Sequence, residues 1–351
     1  MEPPRPAVSL ILPNRNNEPV LDLFFEALER NTDMRVTELI VVDDGSTDGS
    51  VAVLERWRAS GRIPRMEVVR HEARGIIDAL NAACERASGE VIVRLDGDAT
   101  IETPAWLERM LRMRSASERV GVVSGKVVFD SGRVHSYGMN VVSPAGVHSR
   151  GTVPTEPVGE RTLDIAVEYP FERDAEGGDE VAEVDGAIGC CMLFDRELWR
   201  AVGGFDDRYA PAGFEDFDFA LGARAVGRKV FFLPDVEVVH RISMRNPREA
   251  VSRRVMALHR LRRSVGRFVP ERLRDVAAAR ARLGDYDPAR LAMLRRHYAA
   301  WRGKWGFDAL NPDMDAVLAR WGGTEVCWAY DDELRRAGEE IAAAYRAMAH
   351  A

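Results

Sequence analysis

This sequence has no apolar run approaching the roughly 18–20 residues that a bilayer-spanning helix needs, which argues against an integral membrane protein. Its first ten residues, MEPPRPAVSL, place no apolar core ahead of the first strand-like segment, so no secretory signal is expected. Cysteine is scarce, with only Cys84, Cys190, Cys191 and Cys327. None has metal-ligand spacing, and the adjacent pair sits in an apolar stretch. They read as reduced core thiols of a cytoplasmic protein rather than as a disulfide framework or a zinc site. No glycine-rich phosphate loop follows the first strand-like run, where the residues are Pro13-Asn14-Arg15-Asn16-Asn17-Glu18. There is no internal repeat.

What is present suffices for a large core. The 351 residues are 46% hydrophobic and 30% charged, enough for one large domain with an appendage. The net charge of −7 is unevenly spread. From Arg245 onward 20 Arg and 1 Lys face 14 acids, so this part carries +7 and the preceding 244 residues carry −14. Such a split points to two units with different partners. The boundary is placed at 245, between a unit over 1–245 and a basic helical region over 246–351.

Hydropathy along the chain alternates in type. Residues 8–13 (VSLILP), 39–42 (LIVV), 66–69 and 91–95 read as strands. Between them, 18–30, 51–57 and 75–87 have apolar residues at helical spacing. Strand, helix, strand with short links means βαβ units and a mostly parallel sheet, an α/β fold. Beyond residue 98 a helix is expected from Thr103-Pro104 to about Arg114, with strands over 120–129 and 134–142. The stretch 151–180, rich in Gly, Pro and acids, reads as a long loop. Helices follow at 195–202 and 214–226. Residues 229–240 read as strand, turn and strand around Pro234. The rest is mostly helical.

Acidic residues mark the strand ends. The strand before Leu95 stops at Asp96-Gly97-Asp98. In open α/β sheets the ligand crevice lies outside such ends. Two aspartates flanking a glycine can offer oxygen ligands to Mg²⁺ or Mn²⁺, although solvated turns use the same letters. A second acidic end, Asp43-Asp44-Gly45-Ser46, is either a turn and N-cap cluster or a carboxylate that accepts from a nucleobase imide or a ribose hydroxyl. Glu215-Asp216 opens a helix, where the macrodipole favours acids and where a rigidly held carboxylate can also act as a general base. Phe214, Phe217 and Leu221 lie at core spacing, Glu215 and Asp218 share another face, and Asp216 points away from that pair. His240 ends an apolar strand and is either structural or a metal ligand. Arg74 precedes a helix, exposed or facing a diphosphate.

Taken in order, LILPNRNNE, VVDDGSTDGS, RGIIDALNAA, RLDGDA, VDGAIGCCMLF, GGFDDRYAPAGFEDFDFALGARAVGRKVFFLP and VEVVH resemble the family 2 glycosyltransferases of the GT-A fold, of the type that builds rhamnosyl and cell-surface polysaccharides. The resemblance covers about residues 7–245. It implies a nucleotide-binding half over about 7–98 and an acceptor half over 99–245. It further implies that Asp44 binds the nucleobase, that Pro13 and Asn14 line that pocket, and that Arg74 lies near the nucleotide. Asp96 and Asp98 would form the DXD motif, with Asp98 holding Mn²⁺ or Mg²⁺ and His240 completing the metal site. Asp216 would be the base, with Glu215 as the alternative. The donor would be a sugar linked to UDP, TDP or GDP. Two departures stand out: Gly97 replaces the acid or proline common in the middle of the motif, and Asn81-Ala82-Ala83 replaces Asn-x-Gly.

The implied reaction is metal-dependent transfer of a hexosyl group to a hydroxyl acceptor with inversion. The acceptor, whether glycan, lipid-linked or small molecule, is not legible. Residues 253–282, bounded by Arg253 and Arg282, hold 10 Arg against Glu271 and Asp275. They read as a solvated helical face, or as a surface that docks on anionic membrane from the cytoplasmic side. No recognition motif for nucleic acid accompanies them. Homodimerisation through the C-terminal helices is a further expectation. Two rivals remain: a non-catalytic sugar-nucleotide-binding scaffold, and a sugar nucleotidyltransferase, against which the missing glycine loop argues.

Overall fold

The computed structural model describes residues 7–130, 132, 134–136, 138–141, 154–158, 161–164, 167–168, 179–241, 244, 288–305 and 332–349. The first half alternates strand and helix: β1 (Val8–Asn14), α1 (Glu18–Asn31), β2 (Thr37–Asp44), α2 (Ser50–Ser60), β3 (Met66–His71), α3 (Ile76–Arg86) and β4 (Val91–Leu95). Strands β3, β2, β1 and β4 lie side by side in parallel. Every residue of β1 is buried, as expected for a central parallel strand covered on both faces. Helix α1 turns Val20, Leu21, Phe24, Phe25 and Leu28 inward, the 3.6-residue stripe legible in its sequence.

The second half mixes strand directions. It comprises β5 (Ala99–Ile101), α4 (Trp106–Ser115), β6 (Val120–Phe129), β7 (Val134–Ser136), β8 (Asn140–Val141), β9 (Pro154–Val158), β10 (Arg161–Asp164), β11 (Val167–Glu168), β12 (Ala182–Val184), β13 (Cys191–Asp195), α5 (Arg196–Val202), α6 (Glu215–Ala225) and β14 (Lys229–His240). Strand β13 runs antiparallel between β4 and β6 and so joins the halves into one ten-stranded sheet, ordered β12-β14-β6-β13-β4-β1-β2-β3 with β5 on β14 and β7 on β6.

Three expectations are corrected here. Helix α4 starts at Trp106 and not at Thr103-Pro104, because Ala105 stands in the left-handed region at φ +53°. Pro234 does not break 229–240 into two strands: β14 runs through it with a register shift between Leu233 and Glu237. Within 151–180, the described residues include β9 and β10, paired antiparallel, and β11, paired with β8.

Two further helices, α7 (Pro288–Trp305) and α8 (Asp332–Ala349), come from the C-terminal third. Buried residues form two clusters, one on each face of the sheet. Tyr298, Trp301 and Trp305 of α7 join the cluster of α3 and α6, and Ile341, Ala342 and Tyr345 of α8 join that of α1 and α4. The basic stretch 253–282 lies outside the described residues. No described helix is long and apolar enough to cross a membrane.

Candidate active site

A cavity of about 380 Å³ opens at the C-terminal ends of β1, β2 and β4, where the strand-end argument puts a ligand. Pro13, Asn14, Asp44, Asp96, Asp98 and His240 all line it. Arg74 does not, and its side chain is exposed. What residue 74 contributes is its backbone N–H, which donates to Asp44 Oδ1 at 2.7 Å.

The acidic end of β2 divides its labour. Asp43 holds the turn, accepting from Ser46 N–H at 3.1 Å and from Asn14 Nδ2 at 2.8 Å. Asp48 accepts from Ser50 N–H at 3.0 Å at the start of α2. Asp44 is the carboxylate that faces the cavity. Besides Arg74 N–H it accepts from Gly75 N–H at 3.0 Å and from Arg15 Nη1 at 3.2 Å.

At the end of β4, Asp96 and Asp98 flank Gly97, and the glycine leaves room for two amides of the cavity wall. A Cβ there would lie 2.7 Å from Asn17 Nδ2 and 3.3 Å from Asn14 Oδ1. Asn17 Nδ2 donates to Asn14 Oδ1, while Asn17 Oδ1 is buried with no hydrogen-bond partner among the described residues. That leaves an unspent acceptor at the cavity wall, suited to a ligand hydroxyl or water.

His240 Nε2 lies 3.3 Å from Asp98 Oδ1, and its Nδ1 lies 3.2 Å from His135 Nδ1 and 3.7 Å from Cys190 Sγ. Burial opposes charge on the His240 ring, but the Cys190 sulfur and the Asp98 carboxylate outweigh it and raise the pKa above its ordinary value. Burial, reinforced by His240, pushes His135 down to about 3. His135 thereby favours its neutral form beside His240. Among the described residues no three His, Cys, Asp or Glu side chains close into a metal cage. The donor set is still of the right kind for Mn²⁺ or Mg²⁺, which commonly take one or two carboxylates and complete their shell with substrate phosphates and water.

Behind the cavity lies the start of α6. Asp96 N–H donates to Cys190 O at 3.3 Å, and Gly189 N–H donates to Asp216 Oδ2 at 3.0 Å. One short segment thus bridges the acids at the end of β4 and those at the start of α6. Asp216 also accepts from Phe217 N–H at 2.7 Å. Burial, with repulsion from Glu215, pushes its pKa up to about 6, while the Arg94 guanidinium pulls the other way. Glu215 turns inward to Arg94 Nη2 at 3.1 Å and Gly213 N–H at 2.7 Å. Asp218 takes different partners, Tyr209 Oη, Lys304 Nζ and Trp305 Nε1. Sequence reasoning missed Arg15, Asn17, His135 and Arg94. Only Arg94 left a signal, as a charge inside a strand of apolar residues.

The family model for glycosyl transferase family 2 matches residues 9–202. An uncharacterized protein, y4gI, of Sinorhizobium fredii is 28% identical over 67% of this chain and 24% of its own length. The O-antigen biosynthesis protein RfbC of Myxococcus xanthus is 27% identical over 72% of this chain and 18% of its own. The chain therefore spans about a quarter or less of these relatives. Among solved structures, a mannosyltransferase from Pyrobaculum calidifontis in complex with GDP-Man and Mn²⁺ superposes with a TM-score of 0.50 at 21% identity, covering 98% of this chain and 87% of that one. The likeness is one of fold.

Proposed function

The chain belongs to glycosyl transferase family 2 and has the GT-A fold, and from that premise we propose that it moves a sugar from a nucleotide-diphosphate donor to an acceptor hydroxyl with inversion at the anomeric carbon. One observation carries the reading: Asp44, Asp96, Asp98 and His240, from three distant parts of the chain, line a single cavity. In this reading Asp44 receives the nucleobase, with Pro13 and Asn14 at the pocket wall. Asp98, with Asp96 and His240, holds the divalent cation. A bound Mn²⁺ or Mg²⁺ supplies positive charge to the donor diphosphate and the leaving nucleotide.

The proton is the business of Asp216. Its carboxylate takes the proton of the acceptor hydroxyl as the oxygen attacks the anomeric carbon, and the nucleoside diphosphate leaves from the opposite face. Glu215 is the poorer candidate, because Arg94 and Gly213 already occupy it. The catalytic unit is residues 1–245, with α7 and α8 of the C-terminal region packed against it. The acceptor is a hydroxyl of a glycan, a lipid-linked sugar or a small molecule. RfbC, which acts in O-antigen biosynthesis by its name, favours the first two.

A thermal-shift panel tests the donor class: UDP, TDP, GDP and their sugars, each with and without Mn²⁺. A ligand that binds only the folded state at a hundredfold excess over Kd stabilises it by about 2.7 kcal/mol. The expected result is a metal-dependent shift with one of them, lost in Asp98→Ala. No shift with any of them overturns the proposal.

A further inference from the structure

Arg94 is the fourth of the five residues of β4, opposite Ile11 of β1 and Met192 of β13, and its side chain is 3% exposed. Its Nε lies 3.4 Å from Asp96 Oδ1 and its Nη2 lies 3.1 Å from Glu215 Oε1. Gly189 makes the room, since a Cβ there would lie 2.2 Å from Arg94 Cζ. The segment that carries the Gly189 N–H to Asp216 therefore lies directly against the guanidinium. Nη1 is buried with no hydrogen-bond partner among the described residues.

A buried ion pair is a poor device for stability. Desolvation costs as much as the Coulombic attraction returns, and well-packed apolar residues commonly do as well. A guanidinium placed here, with one donor unsatisfied, calls for another explanation. Its two partners supply one. Asp96 belongs to the cavity, and Glu215 opens the helix that carries Asp216 as its next residue.

We propose that Arg94 is a positioning residue that ties the strand end bearing Asp96 to the helix start bearing Glu215 and Asp216, so that the donor side and the proton-accepting side of the site are held as one body. The proposal rests on the reading of the site given above. Glu215 is the anchor of this tie. Asp216 stays next to it, held by backbone N–H groups alone among the contacts described.

The test must separate positioning from folding. Arg94→Met alone strands Glu215 as a buried, unpaired charge and can simply misfold. The double variant Arg94→Met/Glu215→Gln removes both charges and keeps the shape. Wild type, Glu215→Gln, Arg94→Lys and the double variant are compared by melting temperature, by calorimetric affinity for the nucleoside diphosphate with Mn²⁺, and by kcat and KM for donor turnover, with water as acceptor if necessary. The double variant is expected to melt near wild type and keep its affinity and donor KM, yet lose about 10²-fold in kcat, the scale of a misplacement of about 1 Å. Arg94→Lys, with charge but no fork, should fall between the two. Glu215→Gln alone should lose less than the double variant. Wild-type turnover in the double variant overturns the proposal, as does a loss in Glu215→Gln equal to that of the double. A wild-type chain with no donor turnover and no nucleotide affinity overturns the functional reading itself, and this proposal with it.

Discussion

His240 Nε2 stands 3.3 Å from Asp98 Oδ1, and the register that brings them together, His240 opposite Ala99, belongs to a short antiparallel pairing of β14 with β5. The C-terminal end of the last strand is thereby folded back onto the acidic end of β4. Without that pairing the histidine would be a strand-end residue with no bearing on the cavity.

The pairing has a consequence for metal binding. The Cys190 and Asp98 neighbours outweigh burial and raise the His240 pKa, which favours a proton on the ring facing Asp98. A metal-ligating imidazole must be neutral, so the cation has to displace that proton. Binding of Mn²⁺ together with a nucleoside diphosphate should release a proton and strengthen as pH rises. Titration calorimetry in buffers of different ionisation enthalpy reads this directly. The enthalpy should vary with the buffer in wild type and lose that dependence in His240→Ala. A buffer-independent wild-type enthalpy would show that His240 keeps its proton and is no ligand.

In the proposed reading, Asp216 sets the pH dependence of turnover. Only the ionised carboxylate accepts a proton, and burial with Glu215 repulsion pushes its pKa up to about 6. The free-enzyme value appears in kcat/KM. It should therefore be flat above about pH 6 and fall by about tenfold per unit below it. Asp216→Asn should remove that limb and lower kcat by about 10²–10⁴-fold, with donor affinity nearly unchanged. Glu215→Gln removes a neighbour that raises the pKa, so the limb should move to lower pH. A limb that stays put in Asp216→Asn would assign it to another group.

The parts of this molecule that were legible in the sequence are those set by local pattern. Apolar runs gave β1, β2 and β4, and those of β2 and β4 lead into the cavity-facing Asp44, Asp96 and Asp98, because a buried parallel strand has to end in polar residues at the crevice. Arg94 was different. Its partner Glu215 lies on another element far along the chain, and no period or spacing within VIVRL reveals which carboxylate will meet it. The same holds for His135 beside His240, and for Asn17, which reads as one more polar residue after Pro13 and yet walls the cavity. Residue 74 shows a contact of another kind: its backbone N–H reaches Asp44, which its side-chain letter does not report. Ala105 and Pro234 show the limits of local rules, since a left-handed residue delayed one helix and a bulge carried one strand past a proline.

Gly97 is held by its neighbours and not by its backbone conformation. In Gly97→Ala the new Cβ meets the Asn17 amide at 2.7 Å. The amide is the far end of a side chain and can move, so the fold should survive with little change in melting temperature. Moving it breaks the Asn17–Asn14 hydrogen bond at 3.1 Å and shifts two residues of the cavity wall. Nucleoside diphosphate affinity should fall while melting stays near wild type. A large drop in stability with affinity intact in the folded fraction would mean that Gly97 serves the fold alone.

Helix α7 is joined to the catalytic half by a buried polar knot as well as by rings. Asp218 accepts from Lys304 Nζ at 2.5 Å, Trp305 Nε1 at 2.9 Å and Tyr209 Oη at 3.0 Å, while Trp301 stacks on Phe217 with ring centroids 5.2 Å apart. Trp301 is 1% exposed, and truncating such a residue to alanine costs about 3–5 kcal/mol. Lys304→Met removes a charged hydrogen-bond donor and should cost about 1.5–3 kcal/mol. Both losses can be read from urea midpoints. The stronger test is a fragment ending at residue 245. It would bare Tyr209, Phe214 and Phe217 beside the helix that carries Glu215 and Asp216, so it should aggregate or melt well below the full chain. A fragment that melts with the full chain and keeps its nucleotide affinity would make α7 an attachment. One that fails would make α7 a wall of the same core that holds the acids in place.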